Sequence, residues 1–164
     1  MKLKDNHQIP NLPKKGFKQA RELADFFYEV KVDRIISSPF VRAIQTVKPL
    51  ADKVNLDIEV SKLLSERTLS NKNMSDWLEK QKSTYVDLNI RYEGGETSRE
   101  AMNRIVSVIE DVIKTEPQNT IIVTDGNIMS LLLMYYDDNF GFEEWTNLSN
   151  PDVFELNLEN NQVL

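Results

Sequence analysis

Apolar positions recur along this chain with two different periods, and the places where the period changes mark out its elements. Phe17, Ala20, Leu23, Ala24, Phe27 and Val30 fall on one helical face with Lys18, Arg21, Glu22 and Asp25 opposite, which predicts a helix over about 15–30. The polar stretch before it, residues 1–13 with Pro10 and Pro13, reads as an irregular lead-in. Asp33 to Ser37 reads as a short strand that ends at Ser38-Pro39. Serine as cap and proline at the first helical position predict a helix start there. Val41, Ile44, Val47, Leu50 and Ala51 continue that helix, with Pro49 as a point of kinking. Asp57 to Val60 alternates like a strand, and a helix is predicted from about Met74 to Lys82 with Trp77 and Leu78 as its anchors.

Two further segments are more sharply written. Thr97-Ser98-Arg99-Glu100 fits a capping box ahead of the stripe Ala101, Ile105, Val108, Ile109, Val112 and Ile113, which predicts a helix over 98–115 closed by Pro117. The Gly94-Gly95 pair marks a turn before it. From Asn119 to Tyr136 the chain reads as strand, sharp turn, helix. Ile121, Ile122 and Val123 form a strand apolar enough to be covered on both faces, Asp125-Gly126-Asn127 breaks it, and Ile128, Leu131, Leu132 and Tyr135 recur at helical spacing with Asn127 as cap. Val153 to Leu158 alternates and reads as a terminal strand. Strands alternating with helices predict a three-layer α/β/α fold around a mostly parallel sheet containing 33–37, 57–60 and 120–124. Ligands of such sheets bind at the carboxyl ends of the strands, which is where Ser38, Arg42, Glu66 and Asp125 are expected.

Length and composition narrow the possibilities. The 164 residues, 40% of them hydrophobic, suit a single domain over 1–164. A net charge of −6 with scattered Lys and Arg gives no footprint for nucleic acid or an anionic membrane. There is no Cys and a single His, so neither a disulfide framework nor a multi-His metal site can form. No metal and no cofactor is expected. No apolar run is long enough to span a bilayer and no leader is evident at the N-terminus, so the expected location is cytoplasmic.

Ser37-Ser38-Pro39-Phe40-Val41-Arg42 places backbone N–H groups, two hydroxyls and a guanidinium around one predicted helix start, a set that suits a phosphate, although a capped helix with a surface Arg would read the same. The order of motifs is more specific. Leu12-Pro13-Lys14-Lys15-Gly16 with Gln19-Ala20, Ser37-Ser38-Pro39 with Arg42-Ala43 and Gln45-Thr46, Leu64 with Glu66, Gly95-Glu96-Thr97 with Glu100, and Val123-Thr124-Asp125-Gly126-Asn127 resemble the histidine phosphatase superfamily, with its phosphoglycerate mutase-like fold, over nearly the whole chain from about residue 12. The resemblance implies a phosphohistidine mechanism, in which one His attacks phosphorus, a second His and two Arg hold the phosphoryl group, and a carboxylate serves as acid and base. It assigns Arg42, with Ser38, to phosphate binding and Glu66 to the carboxylate.

The sequence departs from that pattern at both histidines. Family members begin with a strand ending in Arg-His-Gly, whereas eleven residues precede Leu12 and His7 has neither the Arg before it nor the Gly after it. The second family motif, Ser or Thr followed by His-Gly, reads Thr124-Asp125-Gly126. A carboxylate about 4 Å from a phosphoryl charge opposes binding by roughly 4 kcal/mol at an effective dielectric near 20, on the order of a thousandfold in affinity. Asp125 could instead be protonated or pair with Arg42. The expected protein is therefore a histidine phosphatase-like domain with a degenerate site, binding at most a small phosphorylated molecule weakly. Two alternatives stand: a phosphatase or mutase of small phosphorylated metabolites whose N-terminus is incomplete, and an interaction module using the aromatic, acidic segment Tyr135 to Trp145, where Phe142, Trp145 and Leu148 could equally form a packed C-terminal cap. A sheet without the family's first strand would leave a seam beside 120–124, open to exchange between copies of the chain.

Overall fold

The structure is a computed structural model that describes residues 11–115, 119–159 and 162–163. It combines helices with a parallel sheet, and the chain divides into two compact units, Met1–Lys62 with Pro117–Val123 and Leu63–Glu116 with Thr124–Leu164.

The first unit contains α1 (Lys14–Phe26), β1 (Arg34–Ser37), α2 (Val41–Val54), β2 (Ile58–Val60) and β3 (Thr120–Val123). The three strands are those read from the sequence, and they pair in parallel in the order β2-β1-β3. Ile35 stands beside Ile58 on one side and Ile121 on the other. Its core is Ala24, Ile35, Val47, Leu50 and Ala51, with Phe27, Ile58, Ile121 and Val123 packed against it. These residues come from the predicted stripes, which is why α1 packs on α2 and α2 packs on the sheet.

Boundaries moved where a backbone group found a different partner. The helix expected to start at Ser38-Pro39 begins at Val41, with Phe40 at the cap position and no side-chain cap. Ser38 stays with the sheet, two residues short of the cap position: its N–H donates to the Val123 carbonyl at 2.8 Å and extends the β1–β3 ladder. α2 runs through Pro49, whose ring nitrogen has no hydrogen to offer the turn before it. It ends at Asn55, which adopts a left-handed φ of 55° and returns its N–H to the Ala51 carbonyl. α1 stops at Phe26 rather than near residue 30. β3 is half-buried along its length, not covered on both faces as its composition suggested. Residues 1–10, including His7, and Pro117 lie outside the described residues.

The second unit holds α3 (Trp77–Val86), α4 (Ser98–Lys114), α5 (Gly126–Tyr136), the short α6 (Phe142–Thr146) and an antiparallel pair, β4 (Leu156–Asn157) with β5 (Gln162–Val163). α4 forms as predicted: Thr97 Oγ1 accepts from the Glu100 N–H at 3.0 Å while Glu100 accepts from the Thr97 N–H at 2.9 Å. Its apolar face, from Ala101 to Val112, is buried and packs on α5. The Gly94-Gly95 turn also forms, with Gly94 at φ +68°.

Three expectations in this unit are corrected. Trp77 and Leu78 do not anchor α3: they are 50% and 47% exposed, and the buried face is Gln81, Thr84 and Tyr85. A hydrogen-bonded polar face holds this helix, which an apolar pattern cannot reveal. Asn127 does not cap α5. Asp125 takes that position, and Asn127 is a buried residue of the first turn. Strand 153–158 shrinks to Leu156–Asn157. In α6, Phe142 and Trp145 lie against Tyr85 with ring centroids 5.9 and 6.1 Å away, so those two aromatics of the 135–145 segment are packing residues. Among the described residues no helix is long and apolar enough to cross a membrane.

Candidate active site

In the first unit the predicted phosphate-binding residues flank the passage from β1 to α2, Ser38 directly after the strand and Arg42 in the first turn of the helix. Ser38 is fully buried, and its hydroxyl has no hydrogen-bond partner among the described residues. Burying a hydroxyl without a bond costs about 1–3 kcal/mol, so its persistence here is a feature that needs a reason. Arg42 is the second residue of α2, and its guanidinium lies 4.9 Å from the Phe40 ring centroid. A hydroxyl, a guanidinium and the free N–H groups of a helix start are one class of anion-binding group. The neighbouring Ser37 is turned away and donates to the Ser38 carbonyl.

In the second unit Glu66 and Asp125 meet at the start of α5. The Glu66 carboxylate accepts from the N–H groups of Asn127 at 3.1 Å and Ile128 at 2.9 Å, and from the Arg67 N–H at 2.8 Å. A side chain 61 residues upstream therefore does the capping that Asn127 was expected to do. Thr124 fixes the approach, its hydroxyl donating to the Leu64 carbonyl at 2.6 Å. Burial pushes the Glu66 carboxyl above its ordinary value; the backbone hydrogen bonds oppose this and the neighbouring Asp125 charge adds to it. Two carboxyl groups thus occupy the head of α5. The two N–H groups that would greet an incoming anion are already satisfied by one of them.

Beside this pair lies a buried polar cluster that the sequence reading did not find. Tyr85 accepts from Asn127 Nδ2 at 3.0 Å and bonds Ser130 Oγ at 2.6 Å, while Ser130 Oγ donates to the Asn127 carbonyl. Tyr85 must then donate to Ser130, because the Ser130 proton is already spent. Burial pushes the Tyr85 hydroxyl far above its ordinary value. Arg67 Nη1 donates to Thr84 Oγ1 at 2.8 Å, and Thr84 in turn donates to the Gln81 carbonyl. A signal was present in the sequence: Gln81 and Tyr85 are four apart on a helix without an apolar stripe, and Ser130 interrupts an otherwise apolar run three residues after Asn127. Among the described residues no group of three or more His, Cys, Asp or Glu is gathered where a metal could sit.

Comparison with known proteins agrees with the motif order. The family model of the histidine phosphatase superfamily (branch 1) matches residues 4–163. A protein of Hydrogenobacter thermophilus that bears the provisional name phosphoserine phosphatase 2 is 29% identical over 154 residues, covering 88% of this chain and 75% of its own. Among solved structures, a phosphoserine phosphatase of Entamoeba histolytica, a His-to-Ala mutant in complex with phosphoserine, superposes with a TM-score of 0.71 at 17% identity over 94% of this chain and 81% of that one. A mycobacterial glucosyl-3-phosphoglycerate phosphatase gives 0.69 at 19% identity, covering 85% and 73%. The shared architecture is the phosphoglycerate mutase-like fold.

Proposed function

The chain belongs to the histidine phosphatase superfamily (branch 1), and on that premise we propose that it is a member without phosphoryl-transfer activity, able to hold a small phosphorylated molecule weakly through Ser38 and Arg42. The reading rests on the motif order, which puts Asp125 where the family's second histidine is expected, and is supported by the head of α5, where Asp125 holds the cap position and Glu66 brings a second carboxyl to the same helix end. An imidazole there could donate to an anion, whereas a carboxylate has no proton to give and repels negative charge. In this reading Glu66 retains the family's acid position, while its raised proton affinity follows from burial beside Asp125. The buried Ser38 hydroxyl, without a hydrogen-bond partner among the described residues, and Arg42 in the first turn of α2 support residual anion binding.

The competing reading, turnover of a small phosphorylated metabolite, draws on relatives named as phosphatases, one of them solved with phosphoserine bound. A single assay separates the two. Steady-state phosphate release from phosphoserine, a set of sugar phosphates and an aryl phosphate is expected to stay at the buffer rate, and Asp125→His alone should not raise it. Release that survives His7→Ala but disappears in Arg42→Ala would overturn the proposal.

A further inference from the structure

Residues 66–70 form neither helix nor strand, so no regular ladder of their own fixes where the Glu66 carboxylate points. Bonds from distant elements hold the segment instead. Before Glu66, the Leu63 carbonyl accepts from Arg104 Nη1 at 2.7 Å and the Leu64 carbonyl accepts from Thr124 Oγ1 at 2.6 Å. After it, the Thr68 carbonyl accepts from the Glu96 N–H at 2.8 Å. Between these points Arg67 is bonded at both of its ends. Its backbone N–H donates to Glu66 Oε1 at 2.8 Å. Its guanidinium donates through Nη1 to Thr84 Oγ1 of α3 at 2.8 Å, and through Nε and Nη2 to the Glu96 carbonyl, just ahead of α4, at 3.3 Å each. Glu96 is in turn held by Arg104 through two bonds of 2.6 and 2.9 Å, so the residue that receives the guanidinium is itself fixed.

Arg67 is 6% exposed. Burying a guanidinium is costly, and an apolar side chain would pack there without that penalty, so the charge needs a reason. Its planar fork reaches acceptors on two different elements at once, which the single ammonium of a lysine cannot do. We propose that Arg67 is a positioning residue for Glu66: by bridging α3 and the turn before α4, its guanidinium fixes the backbone that aims the Glu66 carboxylate at the Asn127 and Ile128 N–H groups of α5. The proposal rests on the reading that Glu66 belongs to the site, and not on the absence of turnover, so release of phosphate in the assay above would leave it standing.

Proton NMR of the full chain across pH tests it. An amide that donates to a carboxylate shifts when that carboxylate takes up its proton, so the Arg67, Asn127 and Ile128 amides should move together in the unmodified chain. Asp125, Tyr85 and Arg67 are ionisable groups that act on Glu66, and Glu66→Gln, which leaves all three in place, supplies the baseline. Arg67→Lys keeps the charge and loses the fork, and in it the titration at Asn127 and Ile128 should vanish. Arg104→Gln disturbs Glu96 and Leu63 without altering Arg67, and should shrink the same two titrations. A residue that only supports the fold would lower the thermal midpoint and leave these titrations alone. The proposal fails if the three amides do not move together in the unmodified chain, or if Asn127 and Ile128 titrate in Arg67→Lys as they do there. Should Arg67→Lys not fold, unchanged titrations in Arg104→Gln overturn it.

Discussion

At the scale of single residues, the account turns on Glu66. Its folded-state proton affinity is raised, so the folded protein keeps a proton that the unfolded chain has already lost. Its contribution to stability is therefore complete below the ordinary value of 4.5 and is lost as pH rises through the folded value. As pH rises above 4.5 the thermal midpoint of the unmodified chain should fall relative to that of Glu66→Gln, which cannot titrate; parallel curves would show that Glu66 is not the group responsible. The order of motifs singled out Glu66, Asp125, Ser38 and Arg42 as candidates. It did not disclose that Glu66 caps α5, since that bond joins residues 61 positions apart. Arg67, Gln81, Tyr85 and Ser130 escaped for a related reason: they are polar residues that are buried, and patterns read burial from apolarity.

At the scale of elements, local rules succeeded where the partner is local. The capping box of α4 closes within four residues and was readable in full. Thr97→Ala is expected to cost about 1 kcal/mol of stability, seen as a lower denaturant midpoint with unchanged slope. No loss would mean that the box contributes nothing here. The Gly94-Gly95 turn was equally plain, but the reason for its second glycine was not. A Cβ on Gly95 would lie 2.0 Å from the Leu69 carbonyl oxygen, a backbone atom that cannot swing aside. Gly95→Ala should therefore cost about 3 kcal/mol or more, measured by the same unfolding experiment, while a cost near zero would mean that the loop at Leu69 gives way. Rules failed where the strand runs on past its predicted end, as at Ser38, whose N–H joins the ladder to Val123 while α2 starts only at Val41. They failed also for α3, whose exposed Trp77 and Leu78 imitate a core stripe.

At the scale of the whole chain, the order β2-β1-β3 leaves β3 with one partner strand among the described residues. Alternate N–H groups of β3 face away from β1, and its side chains are only half-buried. Amides at Ile121 to Val123 should then exchange faster than those on the buried face of α4, from Ala101 to Val112. Globally slow exchange at those three positions in a dilute monomer would show that the edge is covered, and protection that grows with concentration would show a second copy covering it. The central claim, loss of phosphoryl transfer in a protein that keeps the family fold, is tested most directly before any turnover is required. The full chain is mixed with an excess of an aryl phosphate, quenched on the millisecond scale, and read for aryl alcohol and for a phosphoryl group on the protein. The account predicts neither a burst of alcohol nor a phosphorylated chain. A burst approaching one equivalent, kept in His7→Ala and lost in Arg42→Ala, would contradict it.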